Sequence, residues 1–246
     1  MMCRGSLYAG SHAEAERTLA RSRCQSERAT RRQRLMIDPG LREVALATKG
    51  FMPAEEGDAL FDAAMLAGRN VPSLDMVEVG SYCGRSTVWV GAAARSCGVT
   101  LYAVDHHGGS EENQPGWEWF DDSVVDPSTG RINTLPFFND TMTRAGLTET
   151  VRAVVGDSAS LGASWASKIS FLFIDGGHGR EIARADFAAW HEHVAHDGIF
   201  AIHDVFTDPA DGGLAPYEEI YLPALVSGKF REISITGSLR VLHRVA

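Results

Sequence analysis

The chain has 246 residues, a formal net charge of −9 and four cysteines. This length suits one large domain with a full α/β core, and the acidity argues against a nucleic-acid partner, because phosphate backbones are bound by basic surfaces. The cysteines lack metal-binding spacing, and the sequence shows neither a membrane-length apolar run nor a signal-peptide core, which predicts a cytoplasmic protein with free thiols.

Residues 1–35 differ in composition from the rest, because they carry eight arginines against three glutamates. Their apolar periodicity is poor, which predicts a disordered extension or translated sequence upstream of a start at Met36. A basic arm that contacts an acidic partner is the alternative. We therefore divide the chain into this extension and one domain over residues 36–246.

Two helices are predicted over residues 36–70, ahead of the first strand. Asp38 and Pro39 form an N-cap followed by proline at the first helical position, and apolar residues then recur at helical spacing. A second helix is predicted over residues 53–66. We expect both helices to cover one side of a sheet and to border the mouth of a binding site.

The stretch LDMVEVGSYCGRST, residues 74–87, predicts a short buried strand, a tight glycine turn and a helix that begins at Arg85. Gly80 and Gly84 allow a ligand to approach the backbone closely, and the start of the helix offers unpaired N–H groups. The third glycine of the dinucleotide-binding fingerprint is absent. The stretch therefore indicates a nucleotide-type site without that fingerprint.

The second strand, residues 99–104, ends at Asp105, about 20 residues beyond the glycine turn. An acid at this place accepts both hydroxyls of a ribose in nucleoside-binding sheets, and capping of the next turn is the alternative. Residues 108–132 then show no periodicity, which predicts either a lid over the site or a loop fastened to the core by its rings. Its large rings are those of Trp117, Trp119 and Phe120.

The third strand, residues 151–155, is followed by Asp157 and Ser158. Asp157 is placed to accept from the exocyclic amine of adenine while Ser158 caps the next helix, although a plain N-cap role of either residue gives the same sequence. The apolar run ISFLFI, residues 169–174, predicts a central parallel strand buried on both faces. The remaining strands are predicted over residues 198–202, 229–235 and 238–243. The helices among them are predicted over residues 135–145, 180–193 and 217–227.

Strands that alternate with helices predict an α/β fold, with a doubly wound, mostly parallel seven-stranded sheet and a final antiparallel strand. Ligands of such sheets bind beyond the carboxyl ends of the strands. Capping alone does not explain why five acids follow five strands at those ends. These acids are Glu78, Asp105, Asp157, Asp175 and Asp204.

Over residues 74–246 the sequence resembles the class I S-adenosylmethionine-dependent methyltransferases, and more narrowly the family that includes macrocin-type sugar O-methyltransferases. The stretches that carry the resemblance, in the family's order, are EVGSYCGRST, AVDHH, GDS, FLFIDGGHG and GIFAIHDV. The resemblance implies a Rossmann-like sheet, S-adenosylmethionine as cofactor, and a small-molecule hydroxyl as acceptor, with a sugar or glycoside favoured and a homo-oligomer left open. The cofactor-binding residues that we expect are Glu78, Gly80, Ser81, Gly84, Ser86, Asp105, Asp157 and Ser158.

The resemblance also implies a divalent metal beside the acceptor hydroxyl, held by the acids that follow strands four and five. Asp175 and Asp204 come from adjacent strands and can share Mg²⁺, which prefers oxygen ligands and would lower the pKa of the hydroxyl. We expect His178 to be the general base and Asp175 to act with it as a catalytic residue. His203 is expected to be a metal ligand, a second base or an orienting group. A structural role as caps is the alternative for both aspartates. Val205 follows Asp204, where catechol-type relatives carry a carboxamide or second acid.

Two other functions remain as alternatives. A nicotinamide-dependent oxidoreductase uses a similar sheet, but the third glycine and a Tyr-x-x-x-Lys pair are missing from the sequence. A cofactor-binding module without catalysis has no need of His178 and the paired aspartates. A metal-dependent hydroxylase is disfavoured, because the sequence shows no two-histidine iron set.

Overall fold

The computed structural model describes residues 36–117 and 119–246, and Ile37–Ala246 form one compact unit. The basic extension predicted over residues 1–35 lies outside the described residues. Within the described ranges, no helix is both long enough and apolar enough to span a bilayer.

Two helices precede the sheet, α1 (Pro39–Ala47) and α2 (Ala54–Asn70). The predicted N-cap is present, because the Asp38 carboxylate accepts from the backbone N–H of Leu41 at 3.2 Å. Helix α2 continues four residues beyond its predicted end, through Gly68. A side chain at Gly68 would lie 2.3 Å from Sγ of Cys97, so this glycine allows close helix packing and does not end the helix.

Seven strands form the main sheet and two form a separate small hairpin. The main strands are β1 (Met76–Val79), β2 (Leu101–Asp105), β5 (Val151–Val155), β6 (Ile169–Ile174), β7 (Val194–Ile202), β8 (Phe230–Thr236) and β9 (Leu239–Arg244); the hairpin pairs β3 (Val125–Asp126) with β4 (Arg131–Ile132). The order is β5-β2-β1-β6-β7-β9-β8, with β9 antiparallel to both of its neighbours and the first five strands parallel. The predicted doubly wound, mostly parallel sheet is therefore confirmed.

Helices cover both faces of this sheet. They are α3 (Arg85–Cys97), α4 (Leu135–Arg144), α5 (Ser158–Ser164), α6 (Arg180–Trp190) and α7 (Leu222–Val226), the last preceded by a π-helical turn at Pro216–Tyr221. Strand β6 is buried throughout and alternates between two cores, with Phe171 and Phe173 packing on the side of α2 and α3 and Leu172 packing on the side of Trp190. The order in which successive strands are added reverses between β1 and β6, and this switch point is where such sheets bind ligands.

Two features of local structure differ from what the sequence pattern suggests. Ile182 stands at a spacing typical of core residues of α6, yet it is 43% exposed and lines a cavity. Residues 108–132 are not structureless, because they form short 3₁₀ turns at Glu111–Asn113 and Asp122–Val124 and the β3–β4 hairpin. Side chains of Asp121 and Asp126 accept from nearby backbone N–H groups and stabilise these turns, which carry little apolar periodicity of their own.

Candidate active site

A cavity of about 810 Å³ opens at the carboxyl edge of the parallel strands. The loops after β1, β2, β5, β6 and β7 contribute to its wall, together with the segment between α1 and α2. All five strand-end loops thus meet at one site, as the sequence predicted.

The glycine turn after β1 forms one part of this wall. Gly80 has a left-handed φ of 84°, and a Cβ there would lie 2.1 Å from the backbone oxygen of Asp175. The Asp105 carboxylate fixes the turn, because it accepts from the backbone N–H groups of Ser81 and Tyr82, each at 2.8 Å. It also accepts from the N–H of His107 at 2.7 Å. Gly80, Ser81 and Asp105 all line the cavity.

Glu78 and Gly84 lie behind the described cavity wall, although both were predicted to contact the cofactor. Glu78 is fully buried, and one of its oxygens accepts from the hydroxyl of Ser86 at 2.6 Å while the other has no partner. Burial raises the pKa of Glu78 to about 8, so the folded protein carries a neutral acid there at pH 7. Gly84 precedes α3 with a φ of 91° and packs against Phe138. Ser86 itself does line the cavity.

Asp157 and Ser158 line the cavity at the start of α5. Asp157 is the N-cap, since it accepts from the N–H of Ser160 at 2.9 Å, and hydrogen bonds from Ser160 lower its pKa. The cap that we assigned to Ser158 is therefore wrong. The Ser158 hydroxyl instead accepts from Nε1 of Trp190 at 3.0 Å.

Asp186 is a cavity residue that the sequence pattern did not reveal. It lies on α6, is only 3% exposed, and burial raises its pKa to about 6. A side chain at Gly176 would meet its Oδ2 at 2.9 Å, which places this carboxylate against the loop after β6. An acid within an amphipathic helix normally faces solvent, so nothing in the local sequence marks this one.

Asp175, His178 and Asp204 each offer a ligand atom, and these atoms all lie within 4.8 Å of one another. We call these three residues the donor group. Asp204 adopts a left-handed φ of 52°, a region that few non-glycine residues occupy and that aspartate tolerates better than most. Burial would raise the pKa of Asp204, but hydrogen bonds from His178 and His203 outweigh it and hold this pKa well below its usual range.

His178, the predicted base, is held between two carboxylates. Its Nδ1 lies 3.0 Å from Glu112 and its Nε2 lies 3.0 Å from Asp204. Burial lowers the pKa of His178, but the two acids outweigh burial and raise it to about 10. The ring is therefore protonated at neutral pH and must lose a proton before it can act as a base. Glu112 was not predicted, because it lies in a loop without periodicity.

His203, for which the sequence left the roles of metal ligand, second base and orienting group open, lies outside the donor group. It is 4% exposed, with Nδ1 3.1 Å from Asp175 and Nε2 2.5 Å from Glu56. Both ring nitrogens are thus committed to carboxylates, which raise the pKa of His203 although burial opposes them. Glu56, on α2, also accepts from the N–H of Ser238 at 2.6 Å. An orienting role fits this geometry better than ligation.

The chemistry of the donor group fits a divalent cation. Two carboxylates and one imidazole give a mixed oxygen and nitrogen set, which suits Mn²⁺, Fe²⁺ or Co²⁺ as well as Mg²⁺. In the structure the charge of these carboxylates is balanced by protonated His178 and His203, which a bound cation would partly replace.

The loop predicted to be a lid borders the cavity through Ser110, Glu112 and Trp119. Lys49 and Asp121 form an ion pair at 2.7 Å that ties this loop to the segment after α1. The three large aromatic side chains of this loop occupy different environments. Trp119 faces the cavity, Phe120 packs in a small cluster with Val124 and Ile132, and Trp117 lies exposed outside the lining.

The sheet order and the cavity at its switch point together define a class I methyltransferase fold. A family model described as "Methyltransferase domain" matches residues 77–205, more than half of the chain. The chain therefore belongs to this family, and the predicted enzyme class, an S-adenosylmethionine-dependent methyltransferase, is confirmed.

Solved structures share the fold at low sequence identity. Cofactor-bound Rv0187 from MTB is 18% identical over 88% of this chain and 94% of that one, with a TM-score of 0.60. The O-methyltransferase TomG from Streptomyces achromogenes, solved with SAM, is 14% identical over 86% and 92%, with a TM-score of 0.58. An O-methyltransferase from Bacillus cereus, solved with SAH, is 16% identical over 85% and 91%, with a TM-score of 0.57.

Proposed function

We propose that the protein transfers a methyl group from S-adenosylmethionine to a hydroxyl oxygen of a small molecule, with a sugar or glycoside as the favoured acceptor. One observation carries the proposal. The glycine turn and the donor group adjoin within a single cavity, since the Cβ position of Gly80 lies against the backbone of Asp175. A methyl donor held at the turn would therefore lie beside the group that receives the acceptor hydroxyl.

The cofactor is proposed to bind against the turn and the start of α5. The residues that would hold it are Gly80, Ser81, Ser86, Asp105, Asp157 and Ser158, which all line the cavity. When bound, S-adenosylmethionine supplies a sulfonium methyl group to an in-line displacement. Glu78 and Gly84 are proposed to support the turn from behind, through Ser86 and through the packing of α4. The cavity volume suits a nucleoside-sized ligand together with a small acceptor.

The donor group is proposed to hold a divalent cation through Asp175, His178 and Asp204. Such a cation would lower the pKa of an acceptor hydroxyl and fix its direction. His203 is proposed to orient Asp175, because Glu56 holds its other nitrogen. This support keeps the carboxylate of Asp175 aimed at the cavity without adding a ligand.

A second role for His178 is the one predicted from the sequence, that of a base. Glu112 holds its Nδ1 and leaves Nε2 directed at Asp204 and the cavity. Nε2 is therefore the atom proposed to take the acceptor proton, once the ring has lost its own. The ligand role and the base role use the same nitrogen, so a single His178 performs one of them at a time.

The names of the structural neighbours support oxygen as the methylated atom, because TomG and the Bacillus cereus protein are described as O-methyltransferases. The acidic net charge supports a small-molecule acceptor without nucleic acid. We propose a cytoplasmic location on the sequence grounds given above. The preference for a sugar rests on the resemblance to macrocin-type enzymes.

The test is calorimetric titration of purified, metal-free protein with S-adenosylmethionine and with S-adenosylhomocysteine, repeated with Mg²⁺. Saturable binding of both, followed by an O-methylated product with a glycoside acceptor, is the expected result. Folded protein that binds neither ligand but binds NADH would contradict the proposal and favour a nicotinamide-dependent oxidoreductase.

A further inference from the structure

Three of the aromatic side chains that line the cavity form one cluster, although they come from three separate segments of the chain. Phe51 precedes α2, Tyr82 lies in the glycine turn, and Trp119 lies in the loop after β2. The Phe51 ring contacts both others, with centroids 5.7 Å from Tyr82 and 5.3 Å from Trp119. Phe51 and Trp119 remain 54% and 50% exposed. We call these rings the aromatic wall, and their open faces are the kind of surface that a flat ligand ring covers.

The aromatic wall adjoins the donor group through one loop. Glu112, in the loop that carries Trp119, holds Nδ1 of His178. The next residue, Asn113, donates from its side chain to the carbonyl of Trp119 at 3.4 Å. A ring that stacks on the wall therefore lies beside the residues proposed to receive the acceptor hydroxyl.

The charges around this part of the cavity disfavour an anion. The described lining contains eight aspartates and glutamates against Lys49, Arg85 and three histidines, and two of these, His178 and His203, each lie between two carboxylates. Lys49 is paired with Asp121, and Arg85 donates to the backbone oxygens of Met52 and Thr48. An anionic group would thus meet carboxylates such as Asp211 while the lining's lysine and arginine are already engaged.

We propose that the acceptor is uncharged or cationic, that it carries its hydroxyl beside a flat ring, and that carboxylated or phosphorylated acceptors are excluded. The inference rests on the proposed O-methyl transfer and adds to it the class of acceptor. Stacking on the aromatic wall supplies affinity, and the acidic lining supplies selection against anions.

Three probes with one scaffold test the charge selection. They are phenyl β-D-glucopyranoside, which is neutral, its 4-aminomethyl derivative, which is cationic at neutral pH, and phenyl β-D-glucuronide, which is anionic. Each is titrated into protein saturated with S-adenosylhomocysteine, and the dissociation constants are compared at fixed ionic strength. We expect the neutral and cationic probes to bind at least about tenfold more tightly than the glucuronide, a difference of about 1.4 kcal/mol.

Paired variants test the aromatic wall. Trp119→Ala and Phe51→Ala should each weaken binding of the neutral probe about five- to tenfold without changing the affinity for S-adenosylhomocysteine. Trp117→Ala is the matched control, because Trp117 lies in the same loop, is equally exposed and is outside the cavity lining. Asp211→Lys should reduce the difference in dissociation constant between the neutral probe and the glucuronide.

The outcomes separate this inference from the proposed function. Equal or tighter binding of the glucuronide, unchanged affinity in both wall variants, or no binding of any probe to protein that binds S-adenosylhomocysteine would each overturn the acceptor class. Failure to bind S-adenosylhomocysteine would instead overturn the proposed function. The predicted order of affinities for the three probes, with weaker binding of the neutral probe in the wall variants but not in Trp117→Ala, supports both the acceptor class and the proposed function.

Discussion

The carboxylate of Glu56 lies 2.5 Å from Nε2 of His203 and joins a helix that precedes the sheet to the end of its fifth parallel strand. Both side chains are almost fully buried. The contact continues through Nδ1 of His203 to Asp175, so a residue of α2 helps to position the proposed metal ligand.

Replacement of Glu56 by alanine should therefore destabilise the protein. His203 would retain a buried charge with one partner fewer, and the N–H of Ser238 would lose its acceptor, at a cost of about 3 kcal/mol. Urea unfolding of both proteins measures the difference. Glu55→Ala is the matched control, because Glu55 lies next to it on the exposed side of α2. Equal losses in the two variants would contradict the buried role.

Asp175→Asn should abolish methyl transfer while the affinity for S-adenosylhomocysteine changes less than about threefold, since one lost metal ligand disables the acceptor side alone. Turnover and calorimetry on the same preparation check this. Asp140→Asn, at an exposed position of α4, provides the control. A variant that loses cofactor binding would show that Asp175 belongs to the cofactor site instead.

Removal of metal should stop the reaction. Protein treated with EDTA is expected to lose turnover, to retain binding of S-adenosylhomocysteine, and to recover on addition of a divalent cation. Because the donor group contains an imidazole, we expect Mn²⁺ to restore activity at a lower concentration than Mg²⁺. Full turnover in EDTA would exclude the proposed cation.

Asp105→Ala should weaken binding of S-adenosylhomocysteine by at least about tenfold, because the backbone N–H groups of Ser81, Tyr82 and His107 lose their shared acceptor. Asp75→Ala is a close control. Its carboxylate likewise accepts from a backbone N–H, that of Thr100, but at the opposite end of the strands. If both variants bind equally well, the turn does not depend on Asp105.

Glu78 should make stability depend on pH in a defined window. Its pKa is about 8 in the folded protein and near 4.5 when unfolded, so the folded state alone keeps the proton between these values and the free energy of unfolding falls as pH rises. Between pH 6 and pH 8, Glu78 should lower the free energy of unfolding by about 2–3 kcal/mol.

In protein without cofactor, Glu78→Gln should remove the contribution of this residue to the change of the free energy of unfolding with pH. Urea unfolding of the parent and the variant at both pH values gives the difference, in which the contributions of His178 and His203 cancel. The lower limit of pH 6 leaves out most of the effect of Asp186, whose pKa is also raised. Parallel slopes would mean that Glu78 is ionised in the fold.

Much of the fold was predictable because its signals are local. The apolar run at Ile169–Ile174 is a buried strand over its full predicted length, and β5 also has its predicted limits. Strand ends then placed Asp105, Asp175 and Asp204 at one edge of the sheet, since parallel strands bring their carboxyl ends together.

The rest of the site depends on packing between distant segments. Glu56 looks like any acid of an amphipathic helix, and only the approach of the turn before β9 to α2 turns it inward. Glu112 lies in a loop whose path is set by contacts such as Lys49–Asp121. Ile182 follows the helical pattern of a core residue, but its side chain lies beside Gly177 in the loop after β6 and lines the cavity.

The bond between Ser238 and Glu56 also has a consequence for the order of events during synthesis on the ribosome. The two residues are 182 positions apart, so α2 emerges long before the turn that completes its buried carboxylate. The β8–β9 hairpin is the last part of the sheet to be synthesised, so His203 should gain its proper orientation, and methylation should begin, only after this hairpin has docked.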